Sequence, residues 1–516
     1  MSLATAALER GVEHPLFLNL RALGFEREQR YAEALGDLQR AHVLAPGDVS
    51  TLNALGLCFA NIERPAEAIE AYDAGIAIKP DFAPLHFNRG WAFEMLGSLD
   101  EARASYERAQ ALAPHDATAT AHLAALAARR GDWVEARRLG EAALAGNPLS
   151  PAATLAVAGA ERAAGDLAAA EQRVRALIAE GRLGPVDGAL AWGLLGDILD
   201  SAERPAEAFD AFSAANDLLL AHYRPRYAGG TTLPATLSWL NAYFARATAD
   251  EWKRKTTAAP SAPTERHVFL VGFPRSGTTL LERVLASAGE VAALEEKDTL
   301  ADSVREFMDK PSSLDRLRDM SDWNLESYRR EYWRRAQAFT GPLDGRVLID
   351  KLPLNTMKLP LIYRLFPTAR ILFALRDPRD VVLSCFRQRF RMNASMYELL
   401  TLPKAVRLYD GVMTLAESLR ETLPLQIHTH RYEDLVADFE SQMRAICDFI
   451  GLEWREEMRH FDRHVGERSI ATPSSAQVAR GLYAEGVGQW RRYETQLAPV
   501  MGILAPWIER HGYDAD

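Results

Sequence analysis

Within residues 49–82 the apolar positions Leu52, Leu55, Phe59, Ile62, Ala68, Ile69, Tyr72 and Ile76 recur every three or four residues. That spacing predicts amphipathic helices. The pattern itself repeats. Pro46, Pro80, Pro114 and Pro148 stand 34 residues apart, and so do Ala34, Ala68, Ala102, Ala136 and Ala170. Two segments nearly coincide, IERPAEAI at 62–69 and AERPAEAF at 202–209. Small residues at fixed places, Gly56, Gly90 and the period-34 alanines, let paired helices approach closely. The prolines punctuate the end of each second helix, which they cannot continue. One such unit cannot bury its apolar face, but stacked units can. The register predicts about six units: 15–48, 49–82, 83–116, 117–150, 151–184 and a displaced one near 189–220.

After residue 265 the pattern changes. HVFLVG at 267–272 is a short apolar run suited to a buried parallel strand. Further strands are expected at 346–350, 370–375 and 426–431, with helices between them. That alternation predicts a parallel sheet covered on both faces, with ligands at the carboxyl ends of its strands. The Pro/Ala/Thr-rich piece TTAAPSAPT at 256–264 reads as a surface linker. The expected organisation is a helical repeat domain at 15–220, a connector at 221–265 and an α/β domain at 266–516.

Composition narrows the function classes. The net charge of -10 argues against a general nucleic-acid binder. No run approaches the roughly 18 apolar residues of a membrane helix. The start, MSLATAALERGVEHP, lacks a basic segment followed by an apolar one. Cys58, Cys385 and Cys447 are too far apart to suggest a disulfide framework or a cysteine zinc site. A soluble cytoplasmic protein with no nucleic-acid or membrane partner is expected. Lysine is scarce, 8 against 52 arginines, so a lysine beside a motif is informative.

The strand at 267–272 runs into FPRSGTT (273–279) and then LLERVLASA, which has helical periodicity. Backbone N–H groups at such a helix start form an anion site. Gly272-x4-Gly277-Thr278-Thr279 imitates the G-x4-G-K-[ST] pattern, but Thr278 stands where that pattern needs its lysine. Without it, ATP or GTP hydrolysis is disfavoured. Arg275 lies inside the loop and can offer several donors to an oxyanion. A second strand–turn–helix, RILFALRDPRDVVLS, spans 370–384, with Asp377 and Asp380 available as capping groups.

The period, small-residue positions and terminal prolines of the first half resemble the tetratricopeptide repeat family. GFPRSGTT and the 370–384 motif are similar to those of the sulfotransferase superfamily, whose donor is 3′-phosphoadenosine 5′-phosphosulfate (PAPS). The closest resemblance is to its tyrosylprotein sulfotransferase-like branch, through EVAALEEKD (290–298), LIDKLPLN (348–355) and TPSSAQV with YAEGVGQWRRYE (472–494). The implied fold is an all-α tetratricopeptide superhelix followed by an α/β P-loop-like sulfotransferase domain with a parallel sheet.

The resemblance also implies a site. Pro274, Arg275, Ser276, Gly277, Thr278 and Thr279 would hold the donor's 5′-phosphosulfate, and Arg376 and Ser384 its 3′-phosphate. Glu296, 21 residues after the loop arginine, would be the base, with Glu295 as alternate. Lys351 would assist the leaving group, and Arg275 and Lys351 would stabilise the charge that spreads during transfer. Gln489 stands where relatives often carry a basic residue, and Arg480, Arg491 and Arg492 are substitutes. Trp490 is expected in the core. His428 and His430 are expected to be structural rather than a metal pair, and no metal is expected.

The implied reaction moves a sulfuryl group to a hydroxyl acceptor, such as tyrosine in a protein or peptide. A glycan or small-molecule acceptor is the alternative within the class. Outside the class stands a catalytically inactive repeat scaffold with a nucleotide-sensing domain. The repeats would bind a protein or peptide in their groove, or serve as a scaffold or homodimerisation platform.

Overall fold

Each period-34 proline stands two residues beyond a helix end: helices close at Leu44, Ile78, Leu112 and Gly146, ahead of Pro46, Pro80, Pro114 and Pro148. The cause is local. A residue before proline is pushed out of the helical region. Ala45 accordingly sits at φ -142°, ψ 76° and Ala113 at φ -134°, ψ 69°. The next helix restarts on a side-chain cap, Asp48 accepting from Ser50 N–H, Asp116 from Thr118 and Ser150 from Ala153.

The computed structural model describes residues 2–28, 30–227, 229, 232–254, 260–464 and 486–514. They form two compact units, Met1–Leu183 and Gly184–Asp516. In the first, helix pairs follow one another: Pro15–Arg27 with Tyr31–Leu44, Val49–Asn61 with Pro65–Ile78, Ala83–Leu96 with Leu99–Leu112, Ala117–Arg129 with Trp133–Gly146, and Pro151–Ala163 with Leu167–Ala179. Ala34, Ala68, Ala102, Ala136 and Ala170 are wholly buried. Gly56 lies against the Tyr72 ring and Gly90 against Tyr106, at distances that leave no room for a Cβ. The pair Pro185–Ser201 and Pro205–Tyr227 packs in the same way, Gly196 against Phe212 with Ala208 wholly buried. It groups with the second unit rather than the first.

The second unit is built on a parallel sheet of β1 (Arg266–Gly272), β2 (Val291–Ala293), β3 (Val347–Lys351), β4 (Arg370–Leu375) and β5 (Gln426–Arg431). Their order is β2-β3-β1-β4-β5. Every pairing is parallel. Val268 to Val271 in β1 are wholly buried, as a strand covered on both faces requires. On one face Val268 and Leu270 pack with Leu281, Val284 and Leu285 of the helix Thr278–Ala286 and with Met443 and Ile446 of the helix Phe439–Ile450. On the other, Phe269 and His267 meet Tyr332 and Phe366.

The sequence pattern does not reveal β2, because three residues carry no period. The expected strand at 346–350 is shifted by one residue and ends on Lys351 itself. From β1 the chain crosses to one side of the sheet, to β2 and β3. From β4 it continues to the other side, to β5. The neighbours β1 and β4 therefore bound the switch point, where loops diverge and leave a crevice at the strands' carboxyl ends. Among the described residues no helix is long and apolar enough to cross a membrane.

Candidate active site

The loop after β1 opens on Gly272, at φ 150°, where a Cβ would stand 2.5 Å from the Ala374 carbonyl oxygen of β4. Its N–H donates to Thr356 Oγ1 at 3.0 Å, and that hydroxyl donates back to the Gly272 carbonyl at 2.8 Å. Gly277 closes the loop at φ 88°, against the ring of Tyr432. Only glycine adopts these conformations in so little space. Gly277 is also the N-cap of the helix Thr278–Ala286 and caps it with no side chain. Thr278 and Thr279 are buried. A buried helix start without a cap presents its first N–H groups, and the positive end of its dipole, to an anion.

Arg275 crowns the loop with φ 71°, in the left-handed region that a side chain with Cβ rarely enters. Its Nε donates to Ser384 Oγ at 2.9 Å. Arg376, just past β4, donates through Nη1 to the Arg275 carbonyl at 3.0 Å and through Nη2 to the Gly486 carbonyl. The Arg376 guanidinium stands 5.0 Å above the Tyr432 ring, and its Nε is buried without a hydrogen-bond partner among the described residues. Burial, and then the neighbouring cation Arg376, push the Arg275 pKa down to about 10. Arg275 is still charged at neutral pH. Two adjacent cations, a spare donor and an uncapped helix start fit a polyanion. Pro274 and Ser276 complete the loop, and the Pro274 carbonyl accepts from the Cys385 thiol at 3.5 Å. Burial pushes that thiol up to about 12.

The helix Pro378–Arg387 carries Ser384 and is capped by Asp377, which accepts from Arg379 N–H. Asp380 does not cap. It accepts from the Gly488 and Trp490 N–H groups at 2.7 and 2.8 Å, tying the C-terminal segment to this helix. Trp490 is in the core, with the Arg379 guanidinium 3.7 Å from its ring. Gln489 accepts from Arg387 at 3.4 Å, and Arg492 pairs with Asp200. Arg480 and residues 472–485 lie outside the described residues.

A second group gathers at the end of β3. Lys351 is wholly buried, with Nζ 2.8 Å from Glu296 Oε1 and 3.3 Å from Glu282 Oε2. Glu296 N–H donates to the Lys351 carbonyl at 2.9 Å, which fixes Glu296 and Lys351 by backbone as well as side chain. Glu296 has φ 56°, and its side chain is 37% exposed, so it is open to a partner from solvent. Glu295 is half-buried. Burial pushes the Glu282 carboxyl up to about 7, against the pull of Lys351.

Sequence reasoning missed Glu282, whose signal is a carboxylate inside the apolar run LLERVL. It also missed Thr356, which carries no signal. His430 is buried and His428 packs on Phe449, and burial drives both pKa values down. No group of three or more His, Cys, Asp or Glu that could hold a metal ion occurs among the described residues.

Residues 267–456 match the sulfotransferase family, and residues 53–117 and 87–151 match the tetratricopeptide repeat. An uncharacterized protein of Aquifex aeolicus (strain VF5) is 28% identical over 251 residues, covering 47% of this chain and 32% of that protein. Protein-tyrosine sulfotransferase 2 of Gallus gallus is 27% identical over 265 residues, covering 48% of this chain and 69% of that one. Protein-tyrosine sulfotransferase A of Caenorhabditis elegans is 25% identical over 279 residues, covering 49% and 68%. The chain thus spans about a third of the length of the Aquifex relative.

Proposed function

From a chain that joins tetratricopeptide repeats to a sulfotransferase-family domain, we infer an enzyme that moves a sulfuryl group from PAPS to a hydroxyl acceptor. The observation that carries this reading is the meeting of the Arg275 loop with Ser384 and Arg376 at the switch point. PAPS supplies an activated sulfuryl group on a phosphate leaving group. The loop N–H groups and Arg275 fit its phosphosulfate, and Arg376 with Ser384 fits a 3′-phosphate, which ordinary ADP lacks.

In this reading Glu296 takes the proton of the acceptor hydroxyl while that oxygen bonds to sulfur. The bond between sulfur and the phosphate oxygen breaks. Lys351 and Arg275 balance the charge that builds on that oxygen and on the sulfonate oxygens. The products are a sulfate ester, 3′-phosphoadenosine 5′-phosphate and a proton on Glu296. Tyrosine in a protein or peptide is the acceptor favoured by the resemblance to protein-tyrosine sulfotransferases. The repeats, a peptide- or protein-binding type of array, would bring that acceptor or its carrier.

The test is calorimetric titration of the purified chain with 3′-phosphoadenosine 5′-phosphate and, separately, with ADP plus magnesium. A clear preference for the 3′-phosphorylated nucleotide is expected and justifies a sulfate-transfer screen of acceptors. Preference for ADP, or binding of neither, would leave a repeat scaffold with a repurposed phosphate loop.

A further inference from the structure

Lys351 has two carboxylate partners, and the proposed transfer uses only one of them. They lie on different elements and in different surroundings. Glu296 follows β2 and is partly open to solvent, whereas Glu282 sits on the helix that starts at the phosphate loop, its side chain 4% exposed. Its neighbours Leu281, Val284 and Leu285 are wholly buried core residues. The second oxygen, Oε1, is buried with no hydrogen-bond partner among the described residues. A buried carboxylate so poorly compensated is costly to a fold.

We propose that Glu282 is a positioning residue of the transfer reaction, holding the countercharge of Lys351 so that Glu296 can accept a proton without leaving a buried ammonium unpaired. The proposal rests on the sulfuryl-transfer reading above. Counting charges gives the reason. With both carboxylates ionised the three groups sum to one negative charge, and after Glu296 takes a proton they sum to zero. Without Glu282 the same step leaves a net positive charge in a place that excludes water. Glu296 would then be held in its ion pair, and Lys351 would have no second anchor to keep it aimed at the leaving oxygen. Burial pushes the Glu282 carboxyl up to about 7, and Lys351 pulls it the other way, so the contact with the ammonium favours the charged form that the proposal needs.

The test has a spectroscopic arm and a kinetic arm, both on the full chain. With 8 lysines, a lysine-labelled sample gives a short set of side-chain nitrogen signals, and Lys351→Arg identifies the one that matters. A buried ammonium held by two carboxylates exchanges slowly with water. Its signal at neutral pH is expected in the wild type and lost in Glu282→Gln. In the kinetic arm, Glu282→Gln is expected to lower kcat about 100-fold, with KM for the donor and affinity for 3′-phosphoadenosine 5′-phosphate held within about twofold. In a Lys351→Met background the same change is expected to cost nothing further, because both act through one ammonium. Glu282→Asp, which keeps the charge, is expected to recover part of kcat.

An unchanged Lys351 signal, a kcat within about twofold of wild type, or an equal extra loss in the Lys351→Met background would overturn the proposal. So would a fall in nucleotide affinity that accompanies a lowered Tm, since that marks a structural prop. If the wild type binds the nucleotide but transfers no sulfuryl group to any acceptor, the reaction reading is what has failed. The ammonium signal alone then decides whether Glu282 anchors Lys351.

Discussion

Glu296→Gln keeps the shape of the side chain and removes its capacity to take a proton. Under the proposed reaction, turnover is expected to fall about 10²- to 10⁴-fold, the usual range for a lost general base. Affinity for 3′-phosphoadenosine 5′-phosphate, measured by calorimetry, is expected to stay unchanged, because the contacts proposed for Arg376 and Ser384 are untouched. Arg376→Met is the complementary experiment. A charge-assisted hydrogen bond is worth about 1.5–3 kcal/mol, or about 10- to 150-fold in affinity. That loss is expected for the 3′-phosphorylated nucleotide but not for ADP, and an equal loss for both would remove Arg376 from the 3′-phosphate site. Residue types made an arginine in a glycine-bounded loop legible, while Lys351 and Glu296 were singled out by the resemblance to the tyrosylprotein sulfotransferase-like branch. Their conformations were not. Arg275 and Glu296 both adopt positive φ, a strain that only surrounding contacts impose.

At the scale of elements, Gly90 tests the close packing of a helix pair. Alanine there gains about 1 kcal/mol of helix propensity, but its Cβ would stand 2.7 Å from the buried Tyr106 ring. Overpacking of that kind costs about 1–3 kcal/mol, so crowding wins and the urea midpoint of the repeats is expected to fall. His122 in the same stack has ring centroids 5.0 Å from Phe87 and 5.2 Å from Tyr106, and burial lowers its pKa to about 4. The folded-state pKa is below the unfolded value of about 6.5. The stability that neutral His122 contributes is therefore present above pH 6.5 and is lost as pH falls toward 4. Relative to His122→Phe, the wild type is expected to lose about 1 kcal/mol between pH 7.5 and 5.5, read from paired urea titrations. A constant difference between the two proteins would mean that the pKa of His122 is the same in the folded and unfolded chains. Helix elements with a 34-residue register were readable because periodicity and proline positions act locally. The edge strand β2 was not, since its three residues are held by pairing to β3 rather than by their own pattern.

For the whole molecule, the sixth helix pair belongs to the unit that carries the candidate site. Asp200 at the end of its first helix accepts from Arg387, Arg492 and, at 2.7 Å, the Tyr493 hydroxyl. Arg389 pairs with Asp197, and Asn216 donates to the Phe386 carbonyl at 2.9 Å. Removing one partner of a mostly buried ion pair leaves the other charge uncompensated, which costs about 3–5 kcal/mol when fully buried. With Arg387 16% and Asp200 12% exposed, Asp200→Asn is expected to cost somewhat less, about 2–4 kcal/mol, in chemical unfolding followed by tryptophan fluorescence. Ser384 and Arg387 share a helix, so a weaker affinity for the 3′-phosphorylated nucleotide is expected to accompany that loss. A repeat pair that merely sat beside the unit with the candidate site would show neither effect.

The sequence by itself determined the repeat register, the strand–loop–helix at Gly272–Thr279 and the residue types gathered for an anion. Each of these depends on neighbours in the chain: helical period, proline geometry, and the need for glycine where the backbone turns. What only the tertiary structure decided is which of those residues meet. Sheet order brings β1 beside β4, and so Arg275 beside Ser384 and Arg376. The pairing of β1 with β3 and the docking of the loop helix turn Glu282 toward Lys351, a contact between residues 69 positions apart in the chain. Long-range contacts follow from burying apolar faces together, and no local pattern encodes which polar groups that burial will bring to one another.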